Sequence, residues 1–475
     1  MKREAEFYAI VVGSGPNGLA AAITLARQKR PVLLVEAKQT IGGGTRTCEL
    51  TLPGFKHDVC SAIHPLALAS PFFRSIDLSR YGLEWQYSPV PLANPMDEEE
   101  AILLDRSVEH TAENLGPDAE AYRKTIGYCI HNWDSLVKEL LKPLSLPQRP
   151  LTLMRFGLLA MRSATNLARH LFRGKRARAL FGGNAAHSIL SLDHWSSAAF
   201  GLMLPSLGHA VGWPIAKGGS QKIADALGSY FESLGGTIRV GTNITSIDDL
   251  PKAKAVLFDV TPRRLARIAG HKFPDCYRKR LEKHNYGPGV FKVDWALSAP
   301  APWLDPACLK AATLHIGGTL EEIATAEKEV WQGIAPEKPF VFFAQPSLFD
   351  DSRAPEGMHT AWGYCHVPNA CEIDMTDRVE AQIERFAPGF RDKIIARHVM
   401  FPSDMEAYNP NYIGGDIIGG SQGFANLFIR PLGRWRAYTT AAKGIYICSS
   451  SMPPGGGVHG MCGHLAAKRV LWDIF

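Results

Sequence analysis

The sequence predicts an α/β protein of two-domain, α+β organisation. A Rossmann-like dinucleotide-binding domain is expected to carry a second domain, of antiparallel sheet plus helices, inserted into it. Three observations lead there. A short apolar strand near the start runs straight into a glycine-rich loop and a small-residue helix. Signals for the same kind of unit return near residue 212 and again after about 405. Between these pieces one stretch has helical periodicity and another alternates as antiparallel strands do.

The opening unit is the most specific. Tyr8-Ala9-Ile10-Val11-Val12 leads into Gly13-Ser14-Gly15-Pro16-Asn17-Gly18, then Leu19-Ala20-Ala21-Ala22-Ile23, then Val32-Leu33-Leu34-Val35 ending on Glu36 and Ala37. Each glycine has a physical role: Gly13 for the tight turn, Gly15 for backbone approach to a pyrophosphate, Gly18 for helix–strand packing. The helix N-terminus adds partial positive charge, which favours a phosphate. Glu36 is placed to accept hydrogen bonds from ribose hydroxyls, and an acid there disfavours a 2′-phosphate, so FAD or NAD is expected rather than NADP. Ile41-Gly42-Gly43-Gly44-Thr45-Arg46 follows, a glycine turn whose backbone donors and arginine suit the pyrophosphate side of the same ligand. No second GxGxxG follows a strand, and Gly414-Gly415 and Gly419-Gly420 lack the strand–turn–helix frame. One dinucleotide is expected, with no dock for a nicotinamide reductant.

The nucleotide domain is expected from residues 1–68, 212–286 and 405–475, and the inserted domain from 69–211 and 287–404. Within 69–211 the pattern reads as mostly helical, with Glu120–Leu141 and Leu151–Leu180 as the main segments. From 212 onward come a helix opened by Lys217-Gly218-Gly219-Ser220 and strands at Thr237–Val240, Asn243–Ile247 and Ala253–Val260. Ile244 is expected beside the adenine. Gly289–Ala296, Thr313–Ile316, Phe340–Ala344 and His359–His366 read as antiparallel strands, Thr376–Phe386 as a helix and Gly444–Cys448 as the last strand. After it, Ser449 to Gly463 contains Pro453-Pro454-Gly455-Gly456-Gly457-Val458-His459 and opens a helix near Val458. Such a loop forms a flat platform with free N–H groups, suited to the N1/C2 edge of an isoalloxazine ring, where charge collects on reduction.

Composition narrows the class. With 475 residues, 46% apolar and 21% charged, the chain has room for two or three domains. No apolar run approaches the ~18 residues of a membrane span, and the first strand begins too early to leave space for a leader, so a cytoplasmic protein is expected. Nine scattered cysteines form no CxxC pair, and sixteen histidines form no HExxH, which argues against a metal site or a disulfide framework. Net charge is +6, unevenly placed: Leu140 to Leu192 holds no Asp or Glu. There Arg155, Arg162, Arg169 and Arg176 recur every seven residues. On one helix they would form a basic stripe, readable as a solvated face or as a contact with an anionic membrane surface. The stripe lacks interleaved aromatics, so nucleic acid is not expected.

GSGPNGLAAA, IGGGTR, KGGSQKIADAL, PPGGGVHGMCGHLAA and the stretch 57–73 together resemble the phytoene desaturase-related flavoproteins. They are most similar to the branch that includes pyridine nucleotide-disulphide oxidoreductase domain-containing proteins and retinol saturase relatives. The resemblance implies non-covalent FAD on the glutathione-reductase/amine-oxidase type of fold, and hydride exchange with an apolar, often isoprenoid, substrate. It implies that Gly13, Ser14, Gly15, Gly18, Glu36, Gly43, Gly44, Thr45 and Arg46 hold the ADP part, that Ile244 touches the adenine, and that Gly457, Val458, His459 and Met461 line the flavin. His459 stands where carotenoid desaturases often carry proline, a departure that bears on a carotenoid substrate and not on FAD.

His64 and His459 are the expected catalytic candidates, each able to balance charge or move a proton beside a flavin. Asp404 and Tyr408 are weaker ones. Quinone or O₂ is the expected electron acceptor. Two alternatives stay open. One is a flavin amine oxidase, with Trp435 and Tyr438 available for an aromatic cage. The other is a non-catalytic prenyl carrier, as in the Rab GDP-dissociation inhibitors of related fold; the intact glycine motifs and Glu36 favour the enzyme.

Overall fold

Two sheets organise the chain in a computed structural model that describes residues 7–421 and 436–474. The first has five strands, all parallel, in the order Ile445–Ile447, Ala253–Phe258, Phe7–Val12, Val32–Val35, Thr237–Arg239. Its central strands are covered on both faces, which is why they read as unbroken apolar runs rather than alternating ones. Val12 pairs with Phe258 on one side and Val35 on the other, so the C-terminal ends of three strands finish level. The glycine loop leaves from this edge.

The helix Pro16–Ala26 follows the loop and packs against the C-terminal helix Met461–Ile474. Small residues allow the approach. A Cβ on Gly18 would lie 2.0 Å from the Gly13 carbonyl oxygen, and one on Gly463 would lie 1.7 Å from that of Asn17. The third glycine of the motif is therefore a packing requirement, as its position implies.

The second sheet has seven strands, in the order Ile394–Met400, Gly289–Leu297, His359–Val367, Val341–Ala344, Ala311–Ile316, Val90–Met96, Glu99–Leu104. Pairing is antiparallel except between Ala311–Ile316 and Val90–Met96, which run parallel. One face of this sheet packs its own apolar cluster around Trp295, Phe343 and Phe390.

Several expectations change here. Residues 69–211 are not purely helical, because Val90–Met96 and Glu99–Leu104 extend the seven-stranded sheet. Asn243–Ile247 is not a strand: a loop carries Ile244, and a 3₁₀ turn covers Ile247–Asp249. Glu120–Leu141 divides at Asn132 into Ala119–His131 and Trp133–Leu140. The C-terminal helix starts at Met461, not Val458.

The arginine stripe also fails to form on one helix. Leu151–Leu180 contains three: Pro150–Ala160, Ala164–Leu171 and Lys175–Ala186. Ser163 starts the second by accepting a hydrogen bond from the Asn166 N–H, and Gly174 precedes the third. The four arginines consequently part. Arg155 lies over the Tyr128 ring at 3.9 Å, Arg162 donates to Asn166, and Arg169 pairs with Glu321 at 3.3 Å. Arg176 is tied to the Asn114 side chain and to the carbonyls of Asn114, Glu100 and Ala101. It is a structural link rather than a membrane-facing residue. No helix among the described residues is long and apolar enough to cross a membrane.

Candidate active site

A continuous cavity of about 600 Å³ opens where the strands of the five-stranded sheet end and runs across to the seven-stranded sheet. At one end it is lined by Gly13, Ser14, Gly15, Pro16 and Asn17, by Glu36 and Ala37, by Gly43, Gly44, Thr45 and Arg46, and by Ile244. His64, Gly456, Gly457 and Val458 line its middle. Two loops more than 400 residues apart in sequence thus meet on one cleft.

The glycine loops are pressed together. Gly13 has φ +101°, and a Cβ on Gly43 would lie 2.9 Å from the Gly15 Cα. A side chain at either Gly15 or Gly43 would fill the cradle in which a pyrophosphate needs backbone donors. Glu36 is nearly buried and accepts from the backbone N–H and hydroxyl of Ser14 and from the Lys38 N–H. Arg46 pairs with Glu36 at 3.1 Å and donates to the carbonyls of Thr40 and Gly43. Its charge is fixed, not free to wander. These residues fit the ADP half of a dinucleotide: a helix N-terminus, close backbone donors, a held carboxylate and a held cation.

Asp259 leaves no local mark in the sequence. It follows the Ala253–Phe258 strand and accepts from the Gly18 N–H at 2.9 Å, so a carboxyl group sits at the same helix N-terminus that would attract phosphate. Burial, with Glu36 nearby, pushes its pKa up to about 7.

The two histidine candidates part company. His64 lines the cavity and its Nε2 contacts the Ser220 hydroxyl at 2.8 Å, while Nδ1 has no partner among the described residues. Burial pushes its pKa down to about 4, so it is neutral at neutral pH. His459 lies behind the platform, outside the cavity wall. Its Nδ1 accepts from the Met461 N–H and its Nε2 faces the Gly455 carbonyl at 3.1 Å, so the loop's own backbone uses both nitrogens. Gly18, Met461 and His459 support the cavity from behind rather than line it.

The far end of the cavity is apolar and aromatic. Phe342, Trp362 and Tyr364 rise from one face of the seven-stranded sheet, with Tyr364 stacked 4.7 Å from Phe342 and 5.7 Å from Trp362. Phe200 and Leu204 of the helix Ala198–Ala210 and Trp213 close the other side. Phe342, Tyr364 and Trp362 form a stacked row along one strand pair. Tyr438, the aromatic expected for a cage, is buried and donates to the Pro453 carbonyl; Trp435 lies outside the described residues. Tyr408 lines the cavity near Arg46 and donates to the Gly43 carbonyl, whereas Asp404 accepts from the Phe401 N–H at a helix start.

Comparison with known proteins agrees with this geometry. Residues 11–74 match the NAD(P)-binding Rossmann-like domain family. The chain is 24% identical to pyridine nucleotide-disulfide oxidoreductase domain-containing protein 2 of Mus musculus, over 99% of this chain and 94% of that one. It is also 24% identical to a neurosporene-forming phytoene desaturase of Rhodobacter capsulatus, over 96% and 92%. Among solved structures, an oxidoreductase from Methanosarcina mazei superposes with a TM-score of 0.65 at 14% identity, covering 98% of this chain and 99% of that one. A putrescine oxidase bound to putrescine gives 0.61 at 18%, covering 98% of each. The chain is an oxidoreductase with the fold of the amine-oxidase-type structures, and it is similar along almost its whole length to a phytoene desaturase.

Proposed function

We propose that the cavity holds one FAD, and that the enzyme exchanges hydride between the flavin and an apolar, isoprenoid- or lipid-like substrate. The observation that carries this is continuity: the dinucleotide cradle, the glycine platform and the aromatic wall share one cavity. FAD supplies the redox step, accepting or donating hydride. The chain's own residues bind, orient and exclude water.

Gly13 to Asn17, Glu36 and Arg46 would hold the ADP part, and Gly456 to Val458 would lie along the ring system. Trp213, Phe342, Trp362 and Tyr364 offer broad apolar surface, worth roughly 25 cal/mol per Å² removed from water. Such surface favours a hydrocarbon chain over a charged amine, which the chamber has no carboxylate to meet among the described residues. His64 is neutral and so would be able to take up a proton at Nδ1 or orient a neighbour, but not to supply standing positive charge. In the desaturating direction, quinone or O₂ would take the two electrons from the reduced cofactor. Release of the ligands by denaturation is the direct test. A yellow supernatant containing FAD, with a co-purified apolar molecule, is expected; colourless protein that FAD cannot reconstitute would overturn the proposal.

Contact with a membrane surface is part of the same reading, but through a different patch from the arginine stripe. Leu151, Met154 and Leu158 share one exposed stripe of the helix Pro150–Ala160, and Leu144 and Leu146 stand out of the loop before it. Arg149 and Arg155 flank them in a stretch without acids. Exposed leucines bordered by cations suit an anionic bilayer. This helix packs on Ala198–Ala210, whose Phe200 and Leu204 line the cavity, so a lipid-borne substrate would have a short route in.

A further inference from the structure

The apolar chamber also holds an open polar atom. His187 follows the helix Lys175–Ala186, and its ring lies edge-on to Phe342 at 4.5 Å and to Trp213 at 5.9 Å. Its Nε2 meets Nε2 of His315, on the strand Ala311–Ile316, at 2.8 Å. Only one of two facing nitrogens can carry the shared proton, so the rings must adopt opposite tautomers.

The surroundings choose between the two arrangements. Nδ1 of His315 is buried without a partner among the described residues and lies close against Gly183. A buried unpaired N–H is rarer and costlier than a buried unpaired acceptor. His315 therefore carries its proton on Nε2 and donates it to His187, which leaves the His187 proton on Nδ1. That N–H has no hydrogen-bond partner among the described residues and is not one of the occluded orphan atoms, and His187, unlike His315, lines the cavity.

We infer that His187 is the recognition residue for the polar end of the substrate: its Nδ1–H donates to a single hydroxyl or carbonyl oxygen on an otherwise apolar chain. A pure hydrocarbon would leave this donor unmatched. A carboxylate is not the intended ligand, because burial holds His187 neutral, with its pKa pushed down to about 3. The inference rests on the apolar-substrate reading and narrows it to an oxygenated chain.

The test is a paired binding measurement on FAD-loaded protein, followed through the fluorescence of the cavity tryptophans. Geranylgeraniol is compared with the matching hydrocarbon that lacks the hydroxyl. One matched hydrogen bond predicts about 10-fold tighter binding of the alcohol to the wild type. His187→Phe is expected to lower alcohol affinity to that of the hydrocarbon while hydrocarbon affinity holds or rises, and His187→Gln, which keeps a donor, to retain part of the preference. Equal affinities in the wild type, or an alcohol preference that survives in folded His187→Phe, would overturn the inference while leaving the apolar-substrate reading standing. If neither probe binds the wild type, both fall together. Should His187→Phe fail to fold, the wild-type ratio decides alone.

Discussion

Replacing Asp259 with asparagine should stabilise the protein more as pH rises. The carboxyl sits at the N-terminus of Pro16–Ala26, bonded to the Gly18 N–H, yet burial and Glu36 raise its pKa from 3.8 to about 7. The unfolded chain loses this proton near pH 4 and the folded chain near pH 7, so between those values the unfolded state binds fewer protons. Stability therefore falls as pH rises through that window and levels off above it. A shift of about three units, at ~1.36 kcal/mol each, sets a ceiling of about 4 kcal/mol. The asparagine amide cannot ionise, so the variant lacks this dependence. The assay is urea unfolding of wild type and Asp259→Asn at pH 5 and pH 8, without added nucleotide. The gap between the two proteins should widen by about 3 kcal/mol from pH 5 to pH 8, the part of the ceiling that falls in this range. A bound pyrophosphate adds negative charge beside the same carboxyl, so FAD affinity of the wild type should also fall with pH more steeply than that of the variant. An unchanged gap at the two pH values would refute the reasoning, since every other titrating group is common to both.

Other outcomes follow from close contacts already described. Gly18→Ala places a Cβ 2.0 Å from a backbone oxygen, and should cost about 3 kcal/mol or more in unfolding experiments together with flavin retention. Glu36→Ala leaves Arg46 buried without its carboxylate, which typically costs ~3–5 kcal/mol, and should release FAD on dilution into nucleotide-free buffer. His459→Ala orphans the Met461 N–H and should lower stability by about 1–3 kcal/mol, with flavin reduction rates near wild type in stopped-flow; a large rate loss would make the ring catalytic. Leu151→Ser, Met154→Ser and Leu158→Ser combined should weaken partition onto anionic vesicles severalfold without loss of bound flavin, whereas Arg176→Gln should act on stability instead.

Legibility followed locality. The first strand, its glycine loop and Glu36 are contiguous in sequence, so their spacing carried the chemistry. The C-terminal glycine run was legible as a loop between the last strand and the C-terminal helix, and Gly456, Gly457 and Val458 of it line the cavity. Val90–Met96 hid behind Pro91 and Pro95, residues that argue against a strand, and is tolerated where the pairing on one side is parallel and short. Ile394–Met400 is a partly exposed edge strand with charges in it, so its apolar signal is weak. The heptad of arginines was a true periodicity with no helix long enough to realise it. Asp259, His187, Trp213 and Trp362 gave no signal at all. Each is a lone residue made meaningful by strands and helices that the sequence alone does not bring together.

The order of the five-stranded sheet has a consequence for how the protein is made. Phe7–Val12 is made long before its neighbour Ala253–Phe258, and Ile445–Ile447, which pairs with that neighbour, is made later still. Until then an apolar central strand waits with an open edge, the situation in which nascent chains aggregate or recruit chaperones. Such long-range closure predicts slow maturation, and it predicts that clipping even the last few dozen residues abolishes nucleotide capture altogether.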